Sequence, residues 1–224
     1  MRLLPVAPVF SVPPVSDRGD GYHQLDNLLV GRYALGMKEN STRERILDSA
    51  QALAQARGFN AFSYADIATE LGVKKASIHY HFPSKQNLET QLLERYRESF
   101  AEQLRSIESR LDTAEEQLSR YSKLYLDTLG NGQICLAGMM ASDVGALPEQ
   151  LAPVLTGFFD EHIAWLTKIM SKGKQAGELN FAGTAQAQAG AFLAALQGGL
   201  ILANAMGDTS SFKRLRTTLI AQLT

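Results

Sequence analysis

Residues 72–88 combine basic and aromatic side chains and contain no Asp or Glu. The side chains in this window that could contact nucleic acid are Lys74, Lys75, Ser77, His79, Tyr80, His81 and Lys85. Lysines neutralise phosphates, whereas hydroxyl and imidazole groups can reach base edges in a groove. The whole chain has a formal net charge of −1, so DNA binding would have to come from this local patch. The alternative interpretation is a solvated basic helix.

The flanking residues predict the elements that would hold this patch. Apolar residues at helical spacing predict a helix over residues 42–58. Ser63 can cap a second helix over residues 64–71. Gly72 ends that helix, and a third helix follows and ends before Pro83, which cannot lie inside a helix. Two short helices joined by a glycine turn describe a helix-turn-helix, whose second helix usually enters the DNA major groove.

The string GVKKASIHYHFPSK, together with the preceding residues from 42 onward, resembles the DNA-binding motif of the TetR family of bacterial transcriptional regulators. The resemblance implies an all-α fold with a three-helix DNA-binding domain at residues 38–83. A helical ligand-binding and dimerisation domain would then span residues 84–224. It also implies a homodimer in which each subunit reads one half-site of double-stranded operator DNA, and a small-molecule inducer.

Matching positions of the family motif imply a set of DNA contacts, to which the charge pattern adds Lys74. The full set is Ser63, Tyr64, Lys74, Lys75, Ser77, His79, Tyr80, His81 and Lys85. For His81 two interpretations stay open, namely contact with DNA and packing against the next helix. The apolar residues of the motif are expected in the domain core, and they are Phe62, Ile67, Ala68, Leu71, Val73, Ile78 and Phe82.

Composition excludes several other functions. One cysteine allows no intramolecular disulfide and fits a reducing cytoplasm. The four histidines show no metal-ligand spacing, so no metal and no cofactor are expected. Residues 1–37 hold four of the seven prolines and show no helical or strand period. We expect an unstructured extension there, and Met37 is an alternative translation start.

Six further helices are predicted after Pro83. The first is long and carries an apolar stripe at three- and four-residue spacing. Gly173 and Gly177 are interpreted as the end of the fourth of these six helices, which is the seventh helix of the chain. The expected spans are residues 84–111, 113–129, 135–144, a start between 148 and 153 running to about 172, 184–206 and 210–223.

The resemblance places an inducer pocket among the middle helices. The candidate ligand-binding residues are Tyr121, Tyr125, Cys135, Met139, Phe159, His162 and Trp165. An aromatic and methionine lining suits a small, mostly apolar ligand, although the same residues would also make an ordinary core. Cys135 stands at the start of a predicted helix, where a thiol can be reactive. The string GQICLAGMMASD is similar to family members that sense electrophiles or oxidants; a buried, inert Cys135 is the alternative.

The helix over residues 184–206 is rich in Ala and Gly, which allows close packing of helices. Polar residues interrupt its apolar run, so a membrane span is not expected. The family resemblance implies that it forms the dimer interface, through Phe192, Ala195, Leu196, Gly199, Leu200, Leu202 and Ala203. An internal core helix is the alternative.

Together these patterns predict a cytoplasmic, dimeric, ligand-responsive transcriptional regulator, most simply a repressor. An all-α enzyme is a rival, but the sequence shows no nucleophile–base pair, phosphate loop or metal motif. A helical adaptor that no longer binds DNA is the second rival. The basic chemistry of residues 74–85 argues against the adaptor.

Overall fold

The computed structural model describes residues 41–142, 145, 147 and 149–224. The extension expected over residues 1–37, and with it the choice between Met1 and Met37 as the start, lies outside the described residues. Within the described residues every regular element is a helix, which confirms the all-α prediction.

The first three helices confirm the helix-turn-helix. The hydroxyl of Ser41 accepts a hydrogen bond at the start of the first helix, and Ser63 and Asp66 form a reciprocal capping box at the start of the second. Gly72 ends the second helix with φ at 66°, a left-handed conformation that costs glycine little. A short 3-10 turn, Phe59–Ala61, separates the first two helices. Their bounds are α1 (Thr42–Arg57), α2 (Tyr64–Leu71) and α3 (Lys75–His81).

Six helices follow, close to the predicted spans. They are α4 (Lys85–Arg110), α5 (Ala114–Gly130), α6 (Leu136–Ser142), α7 (Leu151–Ala176), α8 (Ala185–Met206) and α9 (Thr209–Ala221). The apolar stripe of α4 is buried along its whole length, from Leu88 to Ile107. Because α4 packs against α1 at one end and against α5 and α7 further along, it connects the DNA-binding helices to the larger bundle.

The prediction that Gly173 ends the seventh helix is wrong. α7 continues to Ala176, and Gly177, with φ at 76°, is its cap. Gly173 lies inside the helix, at a position where its neighbours leave no room for a side chain. A Cβ atom there would lie 2.5 Å from the Cβ of Ala114 and 2.7 Å from the side chain of Leu179. This glycine therefore allows close packing of α7 against the start of α5.

Helix α8 is the one helix among the described residues that is long and apolar enough to cross a membrane by length and composition alone. In the structure it packs against α7 and α9. Leu196 and Leu200 are fully buried there.

Candidate DNA-binding surface and candidate ligand core

Helix α3 is anchored on one side and exposed on the other. Ile78 and Phe82 are fully buried in the core that α3 shares with α1 and α2. The other side carries four exposed members of the predicted contact set, which are Lys74, Lys75, His79 and Tyr80. Tyr80 is 83% exposed, which is unusual for a large aromatic side chain. An apolar anchor with a basic, aromatic outer face is the arrangement that a helix needs to enter a groove.

Tyr64, also predicted to contact DNA, lies beneath α3. Its hydroxyl donates to the carbonyl oxygen of Phe82 at 3.0 Å, and its ring meets the edge of His79 at 4.8 Å between centroids. Burial raises the pKa of Tyr64 to about 12, so the hydroxyl stays protonated and remains a donor. In this structure Tyr64 supports the end of α3, and its contact with DNA stays a prediction.

Lys85 is also engaged inside the protein. Its Nζ donates to the carbonyl oxygen of Phe62 at 2.7 Å and lies 5.0 and 4.9 Å from the ring centroids of Phe59 and Phe62. Partial burial lowers the pKa of Lys85, although the nearby carboxylates of Glu89 and Asp66 oppose this effect. Lys85 would have to leave the Phe62 carbonyl before it could reach a phosphate.

The other predicted contact residues lie around the same face. Ser63 is exposed, and its hydroxyl donates to Asp66 at 2.7 Å while it caps α2. Ser77 is half-buried within α3. His81 is half-buried and meets the edge of the Tyr80 ring at 5.1 Å, so both interpretations of His81 remain open.

A polar contact that sequence reasoning missed joins α1 to the segment before α6. The Gln55 side chain is 5% exposed, and its Nε2 donates to the carbonyl oxygen of Ile134 at 2.9 Å. The Ile134 amide in turn donates to the Gln55 carbonyl oxygen at 3.2 Å. The sequence position of Gln55 could have indicated its burial, because Gln55 follows Leu47 by about two helical turns and so lies on the buried side of α1.

Three predicted ligand residues form one buried polar cluster. The hydroxyl groups of Tyr121 and Tyr125 lie 3.0 Å apart, and the Tyr121 hydroxyl lies 2.7 Å from Nδ1 of His162. Burial lowers the pKa of His162 to about 4, so its imidazole is neutral near pH 7. The rings of Phe158 and Phe100 pack against this imidazole, with centroids 4.1 and 5.1 Å away.

The remaining aromatic candidates surround this cluster, but Met139 does not join them. Trp165 stacks on Tyr121 with ring centroids 5.4 Å apart, and Phe159 meets the edge of Phe158 at 5.3 Å. The methyl group of Met139 instead lies beside Gly58. A Cβ atom added to that glycine would be 3.7 Å from this methyl group.

Cys135 lies in the same core, directly before α6, and it is buried and in no disulfide. The Tyr96 hydroxyl donates to its Sγ at 3.6 Å, and Nε2 of Gln197 donates at 3.4 Å. Neither donor was identified from the sequence, because each is far from Cys135 in the chain. The sulfur therefore connects α4, α6 and α8.

Helix α8 shows a different exposed face from the one predicted. Four of the residues expected at a dimer interface are covered by their own protomer: Phe192, Leu196, Leu200 and Ala203. Ala195 and Gly199 are half-buried, and a Cβ atom at Gly199 would lie 2.1 Å from the side chain of Leu215 in α9. Of the predicted set only Leu202 is exposed, and Ile201 and Met206 extend the exposed apolar face. A partner could contact α8 through these three side chains.

Comparisons with known proteins agree with this architecture. The family described as "Bacterial regulatory proteins, tetR family" matches residues 46–91. A TetR-family regulator of known structure from Agrobacterium tumefaciens is 32% identical, with a TM-score of 0.78, over 81% of this chain and 97% of that one. A TetR regulator from Legionella pneumophila is 31% identical, with a TM-score of 0.76, over 84% and 100%. The transcriptional repressor DhaR of Mycobacterium sp. (strain GP1) is 24% identical over 147 residues, which are 64% of this chain and 72% of DhaR.

A helix-turn-helix head on a larger helical bundle with a buried polar core defines a class of regulator that binds DNA at one end and a ligand at the other. The chain belongs to the TetR family of bacterial transcriptional regulators. It is a ligand-responsive transcriptional repressor and not an enzyme.

Proposed function

We propose that this repressor binds its operator as a homodimer, with α3 of each protomer in one major groove. The observation that carries the proposal is the outer face of α3, where Lys74, Lys75, His79 and Tyr80 are exposed and residues 72–88 hold no carboxylate. Lysines at the start of the helix are placed to neutralise phosphates, and His79 and Tyr80 to read base edges. The two copies of α3 would lie about 34–36 Å apart, one turn of DNA.

The proposed dimer forms through the exposed face of α8. Ile201, Leu202 and Met206 are 46%, 63% and 70% exposed, and they lie within two turns of the same helix. Apolar side chains grouped in this way on a soluble protein usually mark an interaction surface. A two-fold axis would place the same three side chains of each protomer against each other.

The proposed inducer binds in the aromatic core around Tyr121 and His162. This core lies next to Cys135, whose preceding residue, Ile134, is hydrogen-bonded to Gln55 of α1. A ligand that displaces α6 would therefore disturb α1 directly. It would release the operator if it stabilised a conformation in which the two copies of α3 no longer match the half-site spacing.

The test is selection of binding sites from random double-stranded DNA, followed by affinity measurements at two salt concentrations. We expect a pseudo-palindromic site whose affinity falls steeply with salt, since each neutralised phosphate contributes about −0.9 to the slope of log K against log salt. Weak binding without sequence preference would support the adaptor alternative. The same assay with the DNA upstream of the chain's own coding region tests autoregulation.

A second candidate, electrophile or oxidant sensing through Cys135, is favoured by the two donors at its Sγ. Tyr96 and Gln197 both donate hydrogen bonds to the sulfur, so polar groups surround this atom. Burial of the thiol opposes it, because a reagent must first reach the sulfur. Cys135→Ser distinguishes the two candidates: release of the operator by thiol reagents is lost if Cys135 is the sensor, and is unchanged if it is a core residue.

A further inference from the structure

His162 has one polar atom without a partner in the ligand core. Its Nδ1 lies 2.7 Å from the Tyr121 hydroxyl, but its Nε2 has no hydrogen-bond partner although the residue is only 1% exposed. Buried polar groups in native proteins almost always have a partner, so an unpaired ring nitrogen requires an explanation. One explanation is a bound molecule that takes a hydrogen bond at this nitrogen. It would also explain why the histidine lies among aromatic rings in a regulator of this family.

The hydroxyl protons of the cluster indicate which His162 tautomer is present. If Tyr125 donates to Tyr121 and Tyr121 donates to Nδ1, each hydroxyl proton has an acceptor and only the Nε2–H remains unpaired. If Nδ1 carried the proton instead, Tyr121 would donate to Tyr125. Both the Tyr125 proton and the Nε2 lone pair would then lack partners among the described residues. The first arrangement leaves fewer unpaired groups, so Nε2 is a donor.

The rings that pack around this donor are aromatic. Phe158, Phe100 and Tyr121 pack around the imidazole. The adjacent carboxylate of Glu161 is directed outward, where it is exposed and paired with Arg97 at 2.5 Å. Among the described residues the buried carboxylate is Glu89, which lies near Lys85 in the DNA-binding half. Among the described residues no carboxylate is therefore buried beside the imidazole, and the charge of Glu161 is paired with Arg97.

We propose that the effector of this protein is a neutral aromatic molecule with a hydrogen-bond acceptor, such as a ketone oxygen, that takes the Nε2–H of His162. The proposal rests on the role of this core as the effector site. Neighbouring rings would enclose the aromatic part, while the acceptor would satisfy the unpaired Nε2–H of His162. An isosteric molecule without the acceptor would leave that donor unpaired and bind more weakly.

The test compares two pairs of probes that differ only at the acceptor. They are acetophenone against α-methylstyrene, and 2-acetylnaphthalene against 2-isopropenylnaphthalene, with choline as the cationic contrast. Binding is measured by titration calorimetry on the full-length protein without DNA. We expect the ketone of at least one pair to bind about tenfold more tightly than its alkene. In His162→Phe this ratio should fall to about one.

His162→Phe also removes the acceptor of Tyr121, so a measurement on the unaltered protein is needed as well. In ¹H–¹⁵N spectra of the histidine side chains, the Nε2–H signal of His162 should shift with the ketone and not with the alkene. Equal affinities within both pairs, including failure of all four probes to bind, would overturn the proposal. Tighter binding of choline than of either ketone would also overturn it.

These outcomes are distinguishable from failure of the proposed DNA-binding function. A protein that binds its operator but shows no preference for the ketones retains the proposed function and loses only this inference. A protein that prefers the ketones but binds no specific DNA site retains the inference and refutes the proposed operator binding.

Discussion

Gln55 and Ile134 are joined by two hydrogen bonds, one in each direction, between the first three helices and the larger helical bundle. The Ile134 amide donates to the Gln55 carbonyl oxygen at 3.2 Å, and the Gln55 side chain donates to the Ile134 carbonyl oxygen at 2.9 Å. Because Ile134 directly precedes Cys135 and α6, these two bonds connect the start of α6 to the end of α1. The long helix α4 is thus not the only connection between the two halves.

Replacement of Gln55 by leucine should weaken this connection. Gln55→Leu leaves the Ile134 carbonyl without its side-chain donor, which we expect to lower the free energy of unfolding by about 1–3 kcal/mol. Hydrogen exchange of residues 134–142 should become faster. The checks are urea denaturation and hydrogen exchange measured by mass spectrometry.

Gln51→Leu is the matched control for this variant. Gln51 donates to Oε1 of Gln55 at 3.1 Å and accepts from Arg95 of α4 at 3.0 Å, and neither of these bonds involves Ile134. We expect unchanged exchange over residues 134–142. If the two variants accelerated exchange there equally, Gln55 would have no special role in joining the two halves.

The exposed side of α3 should determine operator affinity without affecting stability. Lys75→Ala should reduce the slope of log K against log salt by about 0.9, because one phosphate contact is lost. Tyr80→Ala should weaken specific binding while leaving the slope nearly unchanged. Both residues are exposed, so the free energy of unfolding should change by less than about 0.5 kcal/mol. Gel shift and fluorescence anisotropy measure the affinities, and sedimentation tests whether each variant has the same oligomeric state as the unaltered protein.

Lys85→Ala in the same assay resolves the role of a residue that the structure shows engaged with Phe62. If Lys85 leaves the Phe62 carbonyl to bind a phosphate, Lys85→Ala should lower the slope of log K against log salt, as Lys75→Ala does. An unchanged slope with a lower unfolding midpoint would mean that Lys85 only supports the fold. The family-based prediction is the first of these outcomes.

Local patterns were sufficient to predict the helices, because caps and stripes act over one or two turns. Ser63, Gly72 and Pro83 mark the boundaries of α2 and α3 by their own chemistry, and the stripe of α4 repeats at helical spacing. The exposure of Lys75 and Tyr80 could be predicted because the apolar residues Ile78 and Phe82 mark the opposite, buried side of the same segment.

Contacts between distant residues could not be predicted in this way. Lys85 pairs with a carbonyl 23 residues away, and Gln55 with one 79 residues away. In α8 small apolar residues occupy several faces, so periodicity does not distinguish the face toward α9 from the face toward a partner. For Gly173 the sequence indicated a helix end, whereas the close approach of Ala114 is a tertiary contact.

Alanine at Gly173 should destabilise the bundle. The added methyl group would overlap Ala114 and Leu179, and overpacking of this kind costs about 1–3 kcal/mol. Gly130→Ala is the matched control, since it lies in α5 with an ordinary φ and no atom within 4 Å of a Cβ there. That control should be neutral or stabilising by up to about 1 kcal/mol. Thermal unfolding of both variants measures the difference, and equal losses would contradict the packing role of Gly173.

His162 should make the stability of the protein fall as the pH drops below neutral. Burial lowers its folded-state pKa to about 4, against 6.5 when it is exposed in the unfolded chain. Between these two values the unfolded state binds a proton that the folded state does not, so acid favours unfolding. The contribution is fully present above about pH 6.5, decreases as the pH falls towards 4, and changes no further below that. Its full size is about 3 kcal/mol.

The prediction is checked by urea denaturation between pH 4 and 7.5 of the unaltered protein and of His162→Gln, which does not titrate. Carboxylates contribute similarly to both proteins, so the difference between the two stability curves isolates the imidazole. We expect the unaltered protein to lose more stability than the variant over this range, with most of the difference between pH 4 and 6.5. Parallel curves would mean that the folded-state pKa of His162 is close to its unfolded-state value, so that burial does not hold the imidazole neutral in this range.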